Sequence, residues 1–493
     1  MGHRGIWAGV AGITGGLCLA LFLPEREATV APALRAPFTW NRDALWRDLE
    51  RQFLAARQLP TEQVRVAITA NMLGAERIYS MLPEDAMDAS DALLTSLETQ
   101  LFALAPLVAA VPDQLGAYLN LTQRVRKRVK EFSASWDLQS EVARQTLYRL
   151  LYGSRAALEE ALLQVPTDTV PALALAWDEP SQTPSAVLGG VRVHSGDILV
   201  SRGTAPTSAL IARASDFPGN FSHVALVHVD ATSAEVSVIE ALIEHGVVVN
   251  SADHYLSDPK LRVMLLRPRA DLPVLIKDPQ APHRAASHAL RDALARAIPY
   301  DFAMDDKDHE RLFCAEVASA AYEQVGMTLW QGRSRISSAG LARWLGALGV
   351  RHFDTQEPTD LEYDPQLRVV AEWRSLSGLF ADHLDNAVTD ALLETAQAGE
   401  PLRYTWYLLP VARILKMYSL AAQWCGGLGT IPAGMSATAA LKHAQYTKTH
   451  IALHKDLEER VTRFMTAHGY RPPYWELVRL AREAREASTR NWD

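Results

Sequence analysis

Five short β-rich runs lie close together in one stretch of the chain, and they narrow the folds open to it. Ile198–Val200, Val224–Val227, Val236–Ile239, Val247–Val249 and Val263–Leu266 are divided by Gly, Asp, Asn or Pro, so each reads as an extended strand closed by a turn. Helical patterns follow at Ala285–Ile298, Cys314–Val325 and Ser338–Leu348. Strands grouped ahead of helices predict an α+β domain built on an antiparallel sheet, here over about 191–350. Pro166, Pro171, Pro180 and Pro184, among Ser and Thr, mark a linker over 166–190 just upstream.

Both flanks read as helical. In the segment 38–165, Leu45, Leu49 and Phe53 recur every four residues, as do Val64, Ile68 and Met72. Leu94, Leu97, Leu101 and Leu104 alternate steps of three and four, which holds them on one helical face. The expectation is an antiparallel helical bundle broken near Pro60, Pro83 and Pro106. Within it, Arg124–Lys130 places Val125 and Val129 toward a core and its basic residues toward solvent, with anionic lipid headgroups as the alternative partner. The segment 360–493 is helical again and ends in a charged tail around Glu476–Arg490. Tyr404–Met435 is apolar and aromatic, but Arg413 and Lys416 argue against a spanning helix. It is expected to pack as a core helix, with an interfacial helix as the alternative.

At 493 residues the chain exceeds a single hydrophobic core and predicts two to four domains. A net charge of -8 argues against nucleic acid as the main partner, because a phosphate backbone needs a basic footprint. Cys18, Cys314 and Cys425 are far apart, which excludes a disulfide framework and a thiolate zinc site. No phosphate-binding glycine loop or dinucleotide fingerprint occurs, so no cofactor is expected. At the N-terminus, His3 and Arg4 precede an uncharged run, Gly5–Leu23, that stops at Pro24, Glu25 and Arg26. As a helix this run rises about 28 Å, close to the thickness of a bilayer's hydrocarbon core. Its small-residue cleavage sites are poor, so residues 1–30 are expected to form an uncleaved anchor, with a cleaved signal peptide as the alternative. A buried helix of a cytosolic protein is the bland reading. With an anchor, the bulk of the chain lies outside the inner face of the membrane.

Cys314 opens an apolar helical stretch, where unpaired N–H groups and the helix dipole favour a thiolate. A lone cysteine is more often a buried small hydrophobe, so this residue needs company to be chemical. His223 starts a strand on which it shares a face with Ala225, Val227 and Val229. Glu240 shares a face with Val236 and Val238, where an unpaired carboxylate is costly. An imidazole on a neighbouring strand would satisfy that carboxylate and fix its own tautomer, giving nucleophile, base and orienter. The bland reading puts both side chains at strand ends facing solvent. His443, His450 and His454 share a helical face, but no HExxH, cysteine or carboxylate cluster accompanies them, and no metal is expected there. Glu316, in the first turn after Cys314, is expected to be structural.

Taken in order, Ser195–Val200, Phe221–Val227, Val238–Ala241, Pro299–Asp301 and Phe313–Val317 resemble the YiiX/YebB-like branch of the permuted NlpC-type, papain-like cysteine hydrolases. The resemblance covers Val191 to Gly349. It implies a barrel-like antiparallel sheet with helices, in which the histidine strand precedes the cysteine helix. It makes Cys314 the nucleophile, His223 the base and Glu240 the third polar residue, and it points to Tyr300, Asp301 and Asp197 on the substrate side. Ala315 departs from the family, which often has Ser directly after the cysteine. The resemblance implies an amide hydrolase, and with the expected anchor the expectation is a membrane-associated enzyme at a bacterial inner membrane, its bulk in the periplasm, acting on cell-wall-type peptides or on another amphipathic substrate. The family also resembles the lecithin–retinol acyltransferase group, so lipid acyl chemistry is the alternative. A non-catalytic membrane-tethered binding protein is the alternative of a different class.

Overall fold

The computed structural model describes residues 21–25, 44–166, 169–424, 427 and 429–490. Most of the expected anchor, Cys18 and Cys425 fall outside the described residues; of the apolar run only Leu21–Leu23 is within them.

The N-terminal flank is a bundle of α1 (Ala44–Ala56), α2 (Thr61–Met81), α3 (Ala92–Ala110), α4 (Leu115–Phe132), α5 (Glu141–Tyr148) and α6 (Ser154–Leu162). Its core holds the residues that the spacing selects, including Leu49, Phe53, Val64, Ile68, Leu94, Leu97, Leu101 and Leu104. Pro60 precedes α2, but the break expected at Pro106 does not occur, because α3 runs through it. A proline inside a helix costs about 3 kcal/mol. Here Leu104, Ala105, Val108 and Ala109 bury the turn on either side of it, which offsets that cost. Among the described residues α3 alone is long and apolar enough to cross a membrane, and more than half of it is buried in the bundle.

The basic stretch of α4 also differs from expectation. Val125 and Val129 are buried as predicted, but the cations are not a free solvated face. Arg124 pairs with Glu76 and Arg126 with Glu362, while Lys130 is buried and donates to the Glu362 carbonyl at 2.8 Å and to that of Asp364. Burial pushes the Lys130 ammonium down to about 7. These partners lie far away in sequence, where helical periodicity carries no information about them.

All five expected runs form strands of one seven-stranded antiparallel sheet: β2 (Ile198–Gly203), β3 (His223–Val229), β4 (Val236–Leu242), β5 (Gly246–Ser251) and β6 (Lys260–Pro268). Two more strands come from outside the expected domain, β1 (Leu173–Leu175) from the linker and β7 (Leu367–Arg374) from the C-terminal segment. The spatial order is β1-β7-β6-β2-β3-β4-β5, which puts β7 between β1 and β6. A hairpin, Ser185–Leu188 with Val191–His194, turns at Gly189 and Gly190. Both have positive φ, 53° and 84°, as a two-residue turn of this kind requires.

Alternation divides the sheet into two buried faces. Ile198, Val200, Val224, Leu226, Ile239 and Ala241 pack with α8 (Ala281–Ala295), after α7 (Pro206–Arg213), and with α9 (Glu316–Glu323). Leu199, Ala225, Val227, Val229 and Val238 pack with Leu188, Val191 and Val193 of the hairpin. In the C-terminal part, α10 (Ala339–Leu348), α11 (Leu376–Gln397), α13 (Ala437–His468) and α14 (Tyr474–Arg490) share a core, with α12 (Leu409–Trp424) preceding α13. The expected charged tail is therefore a packed amphipathic helix that buries Leu477, Leu480, Ala481 and Ala484. The core helix expected over 404–435 is not one. In α12 Leu409, Ala412 and Ser419 are buried, while Val411, Ile414, Met417, Tyr418 and Trp424 face outward.

Buried charge ties the flanks to the sheet. Arg262 of β6 pairs with Glu159 of α6 at 2.9 Å and with Asp382 of α11 at 2.9 Å. Arg202 of β2 reaches Asp382 at 3.2 Å, and His383 reaches Glu159 at 3.1 Å. Burial alone would raise the Glu159 carboxyl, but the Arg262 charge holds it well below the usual range. Arg155–Glu362 and Arg144–Asp360 link the bundle to the segment leading into β7.

Candidate active site

His223 is the first residue of β3, where the strand ladder begins, so its ring is not enclosed by strands on both sides. The register sets Ala225 opposite Glu240, which leaves Glu240 diagonal to His223 on the same sheet face. The diagonal is bridged by a hydrogen bond, His223 Nε2 to Glu240 Oε2 at 2.6 Å. On the far side, Asn250 of β5 donates through Nδ2 to Glu240 Oε1 at 2.8 Å. Both carboxylate oxygens are thus engaged. Burial works to raise Glu240, and the bonds from His223 and Asn250 prevail and lower it, keeping it ionised.

Cys314 comes from the other side of the strand end. It lies two residues ahead of α9, which is shorter than the predicted Cys314–Val325, and its neighbours Phe313 and Ala315 are set in the sheet–helix core. Only 4% of Cys314 is exposed, and its Sγ lies 4.0 Å from the carbonyl oxygen of Ser222, the residue before His223. With Nε2 held by Glu240, the Nδ1 side of the ring is left for its hydrogen bond to Cys314. Burial disfavours an imidazolium here. The bonds to Cys314 and Glu240 and their negative charge outweigh it and push His223 up to about 10. Thr359 holds this strand start in place, accepting from the Phe221 N–H at 3.2 Å and donating to the Phe221 carbonyl at 3.1 Å.

The other predicted residues divide. Tyr300 bridges Leu312, two residues before the cysteine, so its half-buried ring stands beside the nucleophile. Burial and the charges of Cys314, Asp301 and Glu357 raise its phenol well above its usual value, leaving it a neutral hydrogen-bonding group. Asp301 is engaged locally instead, accepting from the Ala303 N–H at 2.9 Å and the Asp305 N–H at 2.6 Å. Asp197 is not on the substrate side. It lies at the opposite end of β2 from Ser201, the partner of His223, and forms a buried bidentate pair with Arg267 at 2.8 Å. Glu316 Oε2 accepts from the Phe313 N–H at 3.0 Å and so fixes the turn that carries Cys314. Burial and repulsion from Asp301, Asp306 and Asp305 push Glu316 up to about 9. His443 engages Thr207 and His450 engages Thr389, while His450 and His454 both reach Asp385, through its carbonyl and its carboxylate.

Asn250 is the residue that sequence reasoning missed. Its signal was present, since it is the polar residue ending the run Val247–Val249, on the same face as Glu240.

Among known proteins, residues 192–371 match the family model described as a permuted papain-like amidase enzyme, YaeF/YiiX, C92 family. No curated protein and no solved structure matches the chain. With the histidine strand preceding the cysteine helix and both ending at one site, residues 192–371 form a domain of the permuted papain-like amidases.

Proposed function

We propose that this protein is a membrane-associated cysteine amidase that cleaves an amide in a cell-wall-type peptide or a related small amphipathic substrate. The observation that carries the reading is the chain of contacts from Cys314 through His223 and Glu240 to Asn250. An imidazole pushed up to about 10 is protonated at neutral pH and stands ready beside Cys314, whose attacking form is the thiolate. The thiolate adds to the amide carbonyl, and the resulting oxyanion is met by N–H groups at the head of α9. His223 then gives its proton to the leaving amine as the C–N bond breaks, forming an acyl-thioester. Water, deprotonated by His223, attacks the thioester; the acid departs and the proton returns to the Cys314–His223 pair. Ala315, beside the nucleophile, contributes no hydroxyl to these contacts.

Membrane association rests on the apolar run Gly5–Leu23, with the bulk placed on the periplasmic side of a bacterial inner membrane. The lipid acyl reading draws on a different feature, a cavity of about 440 Å³ beside α9 with Ile239, Val247, Leu312 and Val317 on its apolar wall and Asp292, Arg296, His309 and Glu323 on its polar one. The apolar wall suits an aliphatic chain.

Incubating wild type and Cys314→Ala with envelope peptide and lipid extracts, followed by mass spectrometry, separates these readings. New amine and carboxyl ends in peptides, present only with the wild type, are the expected result. Fatty acid release that depends on Cys314 would shift the assignment to acyl-lipid chemistry. Failure of Cys314 to take up an activated acyl probe would overturn both.

A further inference from the structure

We propose that the outward face of α12, with Leu21–Leu23 beside it, seats in the interfacial zone of a lipid bilayer. This deepens the membrane part of the proposed function by naming the surface that meets the lipid, and it is independent of the chemistry at Cys314.

α12 is attached along a narrow stripe, through Leu409 and Ala412 to the helix that follows it and through Ser419, which accepts from the Ile431 N–H at 3.0 Å, to the segment between them. The rest of its circumference is apolar and open. Met417 is 71% exposed and Trp424 92%, and Val411, Ile414, Tyr418 and Leu420 complete two adjoining ridges. Trp406 and Tyr407, in the turn leading into the helix, are also largely exposed. The two cations of α12 are both engaged, Arg413 on the Met417–Leu420–Trp424 side facing Glu25 at 3.9 Å. Arg413 donates to the Leu23 carbonyl, and Lys416 donates to the carbonyls of Pro432 at 2.7 Å and Ala433 at 2.6 Å. An exposed apolar surface of this extent marks an interaction site, and Trp and Tyr at its rim are the residues enriched at the membrane–water boundary.

The occupant is indicated by where the N-terminal run ends. Leu21, Phe22 and Leu23 are exposed, and the Phe22 ring lies 5.9 Å from that of Trp406. The 20 residues before Leu21 hold nearly all of a run long enough to cross a bilayer. A segment that leaves the bilayer at Leu23 brings α12 to the lipid surface.

The same region adjoins the nucleophile. Ile431 and Met435, in the segment after α12, pack with Phe302, whose ring is 5.1 Å from that of Tyr300 beside Cys314. Docking α12 therefore holds the site against the layer where amphipathic substrates partition.

The test uses the full chain carrying Cys18→Ser, Cys314→Ala and Cys425→Ser, with Met417→Cys or Trp424→Cys bearing an environment-sensitive dye and Val66→Cys as control. Val66 is 64% exposed and belongs to the N-terminal bundle. On mixed phosphatidylcholine and phosphatidylglycerol vesicles, the dyes at 417 and 424 should shift to the blue, brighten several-fold and be quenched by brominated acyl chains. The dye at 66 should stay water-like. Protein that pellets with vesicles while the dyes at 417 and 424 stay water-like would overturn the proposal and leave the anchor and the amidase reading standing. A blue shift without lipid that grows with protein concentration would assign the face to a second copy of the chain instead.

Discussion

Two of the polar clusters buried among the described residues are built to opposite ends. Around Arg262 the charges form a closed set of ion pairs: Arg262 of β6 meets Glu159 of α6 and Asp382 of α11, Arg202 of β2 meets Asp382, and no nucleophile belongs to the group. Around His223 the polar groups form a line instead, Asn250 to Glu240 to His223, and the line stops at a thiol. The closed set fixes how three parts of the chain sit together, at the desolvation cost that buried charge always carries. The open line leaves its last member reactive. Burial alone therefore does not mark chemistry. What marks it is a polar chain ending at a group able to change its covalent state.

The comparison breaks most directly at the end of the open line. Cys314→Ala should abolish labelling by an acyl probe and all turnover, with a change in stability within about 1 kcal/mol, because a buried thiol is replaced by a slightly smaller apolar group. A large loss of stability here would make Cys314 a structural residue. Next comes the closed set. Arg262→Ala leaves Glu159 with His383 alone and Asp382 with Arg202 alone, and should cost about 3–5 kcal/mol in chemical denaturation. If the variant retains wild-type stability, the set is not the joint described here.

Glu240→Gln tests the middle of the line. It should lower turnover on the order of 10- to 100-fold, since the base loses its orienting charge. His223 sits at about 10, above its ordinary value, so the pair's stabilisation is complete below about pH 6.5 and lost as pH rises through about 10. Without the Glu240 charge the His223 pKa falls, and the alkaline limb of the pH–activity profile should move to lower pH. An unmoved limb would remove Glu240 from the line. The smallest effect belongs to Asn250→Ala, which deletes one neutral donor to a carboxylate. A net loss of about 0.5–1.5 kcal/mol, or a few-fold in turnover, is expected, with a small shift of the same limb in the same direction.

Much of the open line was legible from sequence. Face parity alone put His223 with Ala225 and Glu240 with Val238, and the order of the motifs supplied Cys314 as their partner. The same parity would have reached Asn250 had the β5 run been extended by one residue. The closed set was not legible, nor was the use of Asp197 by Arg267 or of Lys130 by the carbonyls of Glu362 and Asp364. Periodicity reports what a residue prefers within its own element, while these contacts join residues 70 to 234 positions apart. α12 failed for a related reason. An apolar helix has the same composition whether protein or something else covers it, and only the packing of its neighbours tells the two apart.

β7 carries a consequence for how the protein is made. It fills the gap between β1 and β6, yet roughly a hundred residues separate it from the end of β6. At about 5–20 residues per second, a ribosome leaves β6 without that neighbour for on the order of 5–20 s. Through that interval an apolar strand edge offers unpaired N–H and C=O groups to any extended chain nearby. A fragment cut at Gly349 would keep that edge for its whole lifetime, so the catalytic unit is not separable at the boundary its motifs suggest.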